Sequence, residues 1–111
     1  MRILCVESVK MKLKEDVVVQ GLTNEILLAI IVSNDVYREL GHELTITSML
    51  DGRHSNYSSH YAGKAIDIRT RTLTHDEAEK ARLMIENRLT TDYQVLLEKD
   101  HIHLQYRPWR P

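Results

Sequence analysis

The sequence has a single cysteine, Cys5, which excludes an internal disulfide framework. Cys5 lies in an apolar run, where a small core residue is the ordinary reading of a thiol. An excess of either charge is also missing. The 15 basic and 16 acidic residues give a formal net charge of -1, so no global field points to nucleic acid or an anionic membrane. Long apolar runs are absent too. Residues 22–32 are the most apolar, but Asn24, Glu25, Ser33, Asn34 and Asp35 interrupt or bracket them. The stretch falls well short of the roughly 18 apolar residues that suggest a membrane span. Glu7 breaks the N-terminal apolar run too early for a secretory signal. The expectation is synthesis in a cytoplasm, with no membrane insertion and with another exit route for any action outside the cell. No repeat, linker or low-complexity segment divides the chain, and its 111 residues predict one domain over 1–111.

Residues 3–6 read as a short strand, and 11–19 as a loosely alternating strand or extended arm. Gly21 and Leu22 open a helix that Thr23 or Asn24 can cap. Its apolar positions, Leu22, Ile26, Leu27, Ile30, Ile31, Val36 and Leu40, fall near helical spacing, and Gly41 follows as the residue past its end. Residues 43–49 alternate polar and apolar as a strand does. A polar loop with scattered aromatics runs from Asp51 to Ser59, and residues 65–69 form a second strand. Thr74 and Glu77 have capping-box spacing. They start a helix whose apolar face is Ala78, Ala81, Met84, Ile85 and Leu89. Residues 93–97 and 101–106 read as two strands joined at 98–100. Both prolines lie in the tail, which cannot continue as a central strand. The predicted class is α+β, a mostly antiparallel sheet with two main helices packed on one face.

The chemistry concentrates in two short stretches. His60 stands at the mouth of a loop that drops into the strand carrying Asp67. Ile66 and Ile68 share one face of that strand, and Asp67 takes the other. His101 and His103, two apart, point the same way, opposite Ile102 and Leu104. Either Asp67 lies on a solvated face or a partner holds it; two histidines on the same kind of face favour a partner. Ala62, Gly63 and Ala65 leave room for close approach, as an ordinary tight turn would also do. One carboxylate and two histidines are the protein's share of a catalytic zinc site, with water in the fourth position. His42, at a helix end, and His75, in a first helical turn, read as structural or exposed. His54, near the loop, is ambiguous.

Residues 59–67, Ser-His-Tyr-Ala-Gly-Lys-Ala-Ile-Asp, resemble the H-x-x-G-x-A-x-D part of the S-x-H-x-x-G-x-A-x-D motif of a zinc peptidase family. It comprises D-alanyl-D-alanine carboxypeptidases and dipeptidases and the L-alanyl-D-glutamate endopeptidases of phage endolysins. His101-Ile102-His103 resembles the H-x-H of related metallopeptidases and of the hedgehog signalling domain, which shares their fold. The resemblance covers residues 45–106, and the loop from Asp51 looks most like the hedgehog version. It implies zinc held by His60, Asp67 and His103, and a catalytic carboxylate at Asp100, with Glu98 the competing position. It also implies His101 beside the metal as a transition-state stabiliser, and peptidoglycan stem peptides as substrates. Tyr57 and Tyr61 would line the substrate groove. The carboxypeptidases carry an arginine where this chain has Asp51, and Arg53 is the nearest replacement.

Overall fold

The computed structural model describes residues 11–14, 23–50 and 65–107. Sequence expectations at residues 3–6, the 51–59 loop and the tail lie outside them.

Strand alternation organises what is described. In β3 (Ala65–Arg69) and β5 (His101–Tyr106), Ile66, Ile68, Ile102 and Leu104 are all buried. Burying a side chain of that size contributes about 2 kcal/mol. The two strands pair antiparallel, with Ile66 opposite Leu104 and Ile68 opposite Ile102, so their apolar faces coincide. On their other sides lie β2 (Leu44–Leu50) and β4 (Tyr93–Leu97), both antiparallel to their neighbours. β1 (Met11–Leu13) adds a parallel edge to β2, so the five-stranded sheet is mixed, in the order β1-β2-β3-β5-β4.

Two helices cover the apolar face. α1 (Asn24–Glu39) and α2 (His75–Arg88) join those isoleucines in one core through Ile26, Ala29, Ile30, Val36, Tyr37, Ala81 and Ile85. Thr23 caps α1, its hydroxyl accepting from the Ile26 amide at 3.3 Å. Thr74 and Glu77 form the expected capping box on α2, at 3.1 and 2.9 Å.

The apolar face of α1 differs from the sequence expectation. Leu27 and Ile31 are exposed, at 46% and 53%, as is Leu28. Ala29, Ser33, Asn34 and Tyr37 are buried instead. At about 100° per residue, Ile26, Ile30, Ser33 and Tyr37 make one arc and Leu27, Leu28 and Ile31 the opposite one. With apolar residues on both arcs, hydropathy alone could not choose; packing on the sheet did. Tyr37 is the anchor. Its buried hydroxyl donates to the Arg69 carbonyl at 2.8 Å, tying α1 to the end of β3. Burial also raises the phenol above its ordinary pKa, which keeps the donor proton in place.

One irregularity sits in β2. Ile46 opposes Ile68, but Ser48 opposes Asp67, so Thr47 is an extra residue in the ladder. This bulge reverses the alternation. Leu44 and Ile46 are buried before it, and Met49 packs against the core after it. Ser48 is thereby carried opposite Asp67.

Two substitutions test these anchors. Gly41 has φ +83° with nothing within 4 Å of an added Cβ, so Gly41→Ala meets only backbone strain. Denaturant unfolding is expected to show a loss of about 1 kcal/mol. Tyr37→Phe removes one buried hydrogen bond and is expected to cost about 1–2 kcal/mol in the same assay.

Candidate metal-binding and acid–base site

The face of the sheet away from the helices carries the polar residues of β3 and β5. Asp67 lies directly opposite His103 in the ladder, and Arg69 opposite His101. Cross-strand neighbours on one face are close enough for side chains to interact. Asp67 Oδ1 and His103 Nδ1 are 2.8 Å apart. The other ring nitrogen of His103, Nε2, lies 3.2 Å from Gln105 Oε1. His101 turns its Nε2 towards Asp67 Oδ1 at 3.8 Å and holds Asp100 Oδ1 through Nδ1 at 2.8 Å. The result is a continuous polar row, Asp100, His101, Asp67, His103, Gln105.

Its electrostatics follow from these contacts. Both His103 nitrogens face acceptors, an arrangement suited to imidazolium. The Asp67 hydrogen bond is the chief cause that raises the His103 pKa above 6.5, against desolvation, with smaller help from Gln105 and the charge of Glu98. The His101 hydrogen bond holds the Asp100 carboxyl below its ordinary range. Asp100 is otherwise open, its side chain 83% exposed, whereas those of Asp67, His101 and His103 are 22–30% exposed.

The structure therefore brings together four of the residues singled out in sequence: Asp67, His101, His103 and Asp100. Asp67 is held by a partner on the sheet face. Glu98 makes a different contribution. Its amide donates to the His101 carbonyl at 2.7 Å, closing the β4–β5 turn, and with Asp100 it lines a recess beside the start of α2. His60, Arg53, His54, Tyr57 and Tyr61 lie outside the described residues. Among the described residues, no group of three His, Cys, Asp or Glu side chains is placed to hold a metal. His42 pairs with Glu77 at 3.2 Å, linking the end of α1 to α2, in line with a structural role. No helix among the described residues is long and apolar enough to cross a membrane.

No protein-family model, curated protein or solved structure matches this chain. The site therefore has to be read from its own geometry.

The pair can supply two ligands. Asp67 offers a carboxylate oxygen and His103 an imidazole nitrogen, and they face each other across one gap. Gln105 holds the far side of the ring, as an outer residue does when it orients a metal-ligating histidine. Sequence reading passed over Gln105, although its place two residues after His103 puts it on the same face. It also passed over Thr47, whose hydroxyl donates to the Asp67 carbonyl at 3.4 Å. The bulge that positions Thr47 has no short sequence signature.

The raised His103 pKa gives a signed prediction for metal-free protein. Below about pH 6.5 the imidazole is protonated in both folded and unfolded chains, and its hydrogen bond to Asp67 contributes in full. As pH rises through the raised folded value, that contribution is lost. Denaturant unfolding in the presence of a chelator is expected to show stability falling by on the order of 1 kcal/mol over this window. In Asp67→Asn the fall flattens. An identical pH profile in the two proteins would show that the pair is not coupled.

Proposed function

We propose that the chain is a zinc-dependent peptidase of the hedgehog/DD-peptidase type that cleaves short peptidoglycan stem peptides. One observation carries this reading. Asp67 and His103 face each other across adjacent strands, with the Asp100–His101 pair alongside. These are the residues to which the resemblance gives the second and third ligands, the carboxylate and the stabilising histidine. His60 would complete the ligand set.

When bound, zinc supplies a Lewis acid and lowers the pKa of a coordinated water to about 7. The chain's own residues do the rest. Asp67 and His103 present one oxygen and one nitrogen, and Gln105 fixes the ring of His103. Asp100 is the base, accepting the proton from the attacking water and returning it to the leaving amine. Its hydrogen bond to His101 turns that ring so that Nε2 faces the Asp67 side, where a doubly protonated ring can donate to the developing oxyanion. Arg53 would add charge there. Asp100 suits the base role better than Glu98, because its carboxylate is hydrogen-bonded to the ring of His101.

A second reading has its own support. Asp51 stands where the carboxypeptidases carry arginine, which fits a zinc-holding module that binds peptide without cutting it.

Metal analysis and product analysis separate the two. Purified protein is expected to hold about one zinc per chain. It should lose that zinc in Asp67→Ala or His103→Ala. It should also release products of defined mass from peptidoglycan fragments, whereas Asp100→Ala keeps its zinc and slows release by about 10²–10⁴-fold. Zinc-loaded wild type that cleaves no stem peptide would remove the peptidase and leave the binding module. Protein that takes up no zinc at all would remove both.

A further inference from the structure

The two edges of the described sheet differ. β1 is three residues long, and its Lys12 and the following Lys14 are exposed. A short edge strand flanked by lysines resists pairing with another chain. β4, Tyr93-Gln94-Val95-Leu96-Leu97, has no charge, no proline and no bulge against β5. It lacks each of these protections.

Two hydrogen bonds fix which backbone groups of β4 are free. The Glu98 amide donates to the His101 carbonyl at 2.7 Å, and the Arg107 amide donates to the Asp92 carbonyl. They close the two ends of the β4–β5 ladder. Bonded and non-bonded pairs alternate along an antiparallel ladder, so between these ends Gln94 and Leu96 bond to β5. The amides and carbonyls of Val95 and Leu97 therefore point outward, where no further strand pairs with β4 among the described residues. The Tyr93 carbonyl points the same way, while its amide turns back to the Thr90 carbonyl at 3.1 Å. Leu96 stands opposite His103 on the site face and is 41% exposed. Gln94 shares that face. Its Oε1 accepts from Arg107 Nη1 at 3.3 Å, so its N–H groups are the end left to meet an acceptor. Glu98 continues the same alternation.

A second copy of β4 matches this edge when it runs antiparallel across a two-fold axis. Outward groups must meet outward groups, so the axis can fall at Gln94, Val95 or Leu96. At Gln94 it sets Leu96 against Asp92 of the second copy, apolar against charged. At Val95 it sets Glu98 against that Asp92, like charge on like charge. At Leu96 it sets Leu96 against its own counterpart and Glu98 against the N–H groups of Gln94. Val95 and Leu97 then exchange backbone bonds across the same axis. We propose that the chain forms a two-fold dimer through β4, with Leu96 on the axis and the two sheets joined into one. Neighbouring strands lie about 4.7–4.9 Å apart, so the three steps from one β5 to the other put the two His103 residues about 14 Å apart on one face. No metal ligand takes part in the pairing, so the dimer stands apart from the peptidase reading.

Sedimentation of the full chain, with and without zinc, reads its mass against the 13.0 kDa of one chain. Wild type is expected to contain two chains. Leu96→Lys sets two ammonium groups against each other on the axis and should raise the dimer dissociation constant by about tenfold or more. An unchanged far-ultraviolet circular dichroism spectrum will confirm that this variant folds. Cross-linking tests the axis without weakening the interface. A non-bonded antiparallel pair brings Cα atoms to about 4.5 Å, within disulfide range. In a Cys5→Ser background, Leu96→Cys should join two chains under mild oxidation, and Gln94→Cys should not. Wild type that sediments as one chain at every concentration would overturn the proposal. So would a dimer that Leu96→Lys leaves intact, or cross-linking at Gln94 equal to that at Leu96.

Discussion

The register between β3 and β5 is the constraint on which the rest depends. A shift of one residue would carry Ile66, Ile68, Ile102 and Leu104 to the uncovered face and push Asp67, His101 and His103 into the core. The burial of four large side chains opposes that shift, and so does the cost of three unsolvated polar groups. Core and site are therefore two faces of one pairing. The helices add to the same choice: α1 and α2 cover one face only, which leaves the polar face accessible. Tyr37 adds a direct tie from the helix layer to Arg69 at the end of β3.

Much of this was legible in the sequence because it depends on local period. Residues 65–69, 93–97 and 101–106 alternate cleanly, and the observed strands match them. The capping box at Thr74 and the glycine after α1 announce helix ends by chemistry that needs no distant partner. For the same reason Asp67, His101 and His103 could be placed on one face before any tertiary structure was known. The rest was hidden because it is tertiary. Leu27 and Ile31 hold helical spacing as well as Ala29 and Ser33 do, and only docking on the sheet separates them. The bulge at Thr47 is an irregularity of pairing, visible only against β3. Asp100 was legible as a carboxylate near the site, but its engagement with His101 was not.

The polar row also differs from an isolated buried charge in the way it is balanced. Asp67 has His103 at 2.8 Å and His101 at 3.8 Å, and His103 has Gln105 on its other nitrogen. Each member has a complementary neighbour, so the row can be retained on the sheet without the penalty of an unsatisfied polar group. Its partial exposure keeps it within reach of solvent and solutes.

That internal balance bears on the order in which the molecule is assembled. In the smallest zinc domains the ligands have no favourable arrangement without the ion, and the chain stays unfolded until the ion arrives. Here Asp67 and His103 already satisfy one another, and the core beneath them is made of aliphatic side chains. Folding of the described sheet and helices therefore need not wait for a cation. The hydrogen bond between Asp67 and His103 fixes the ring of His103 on a scaffold that the aliphatic core has already built.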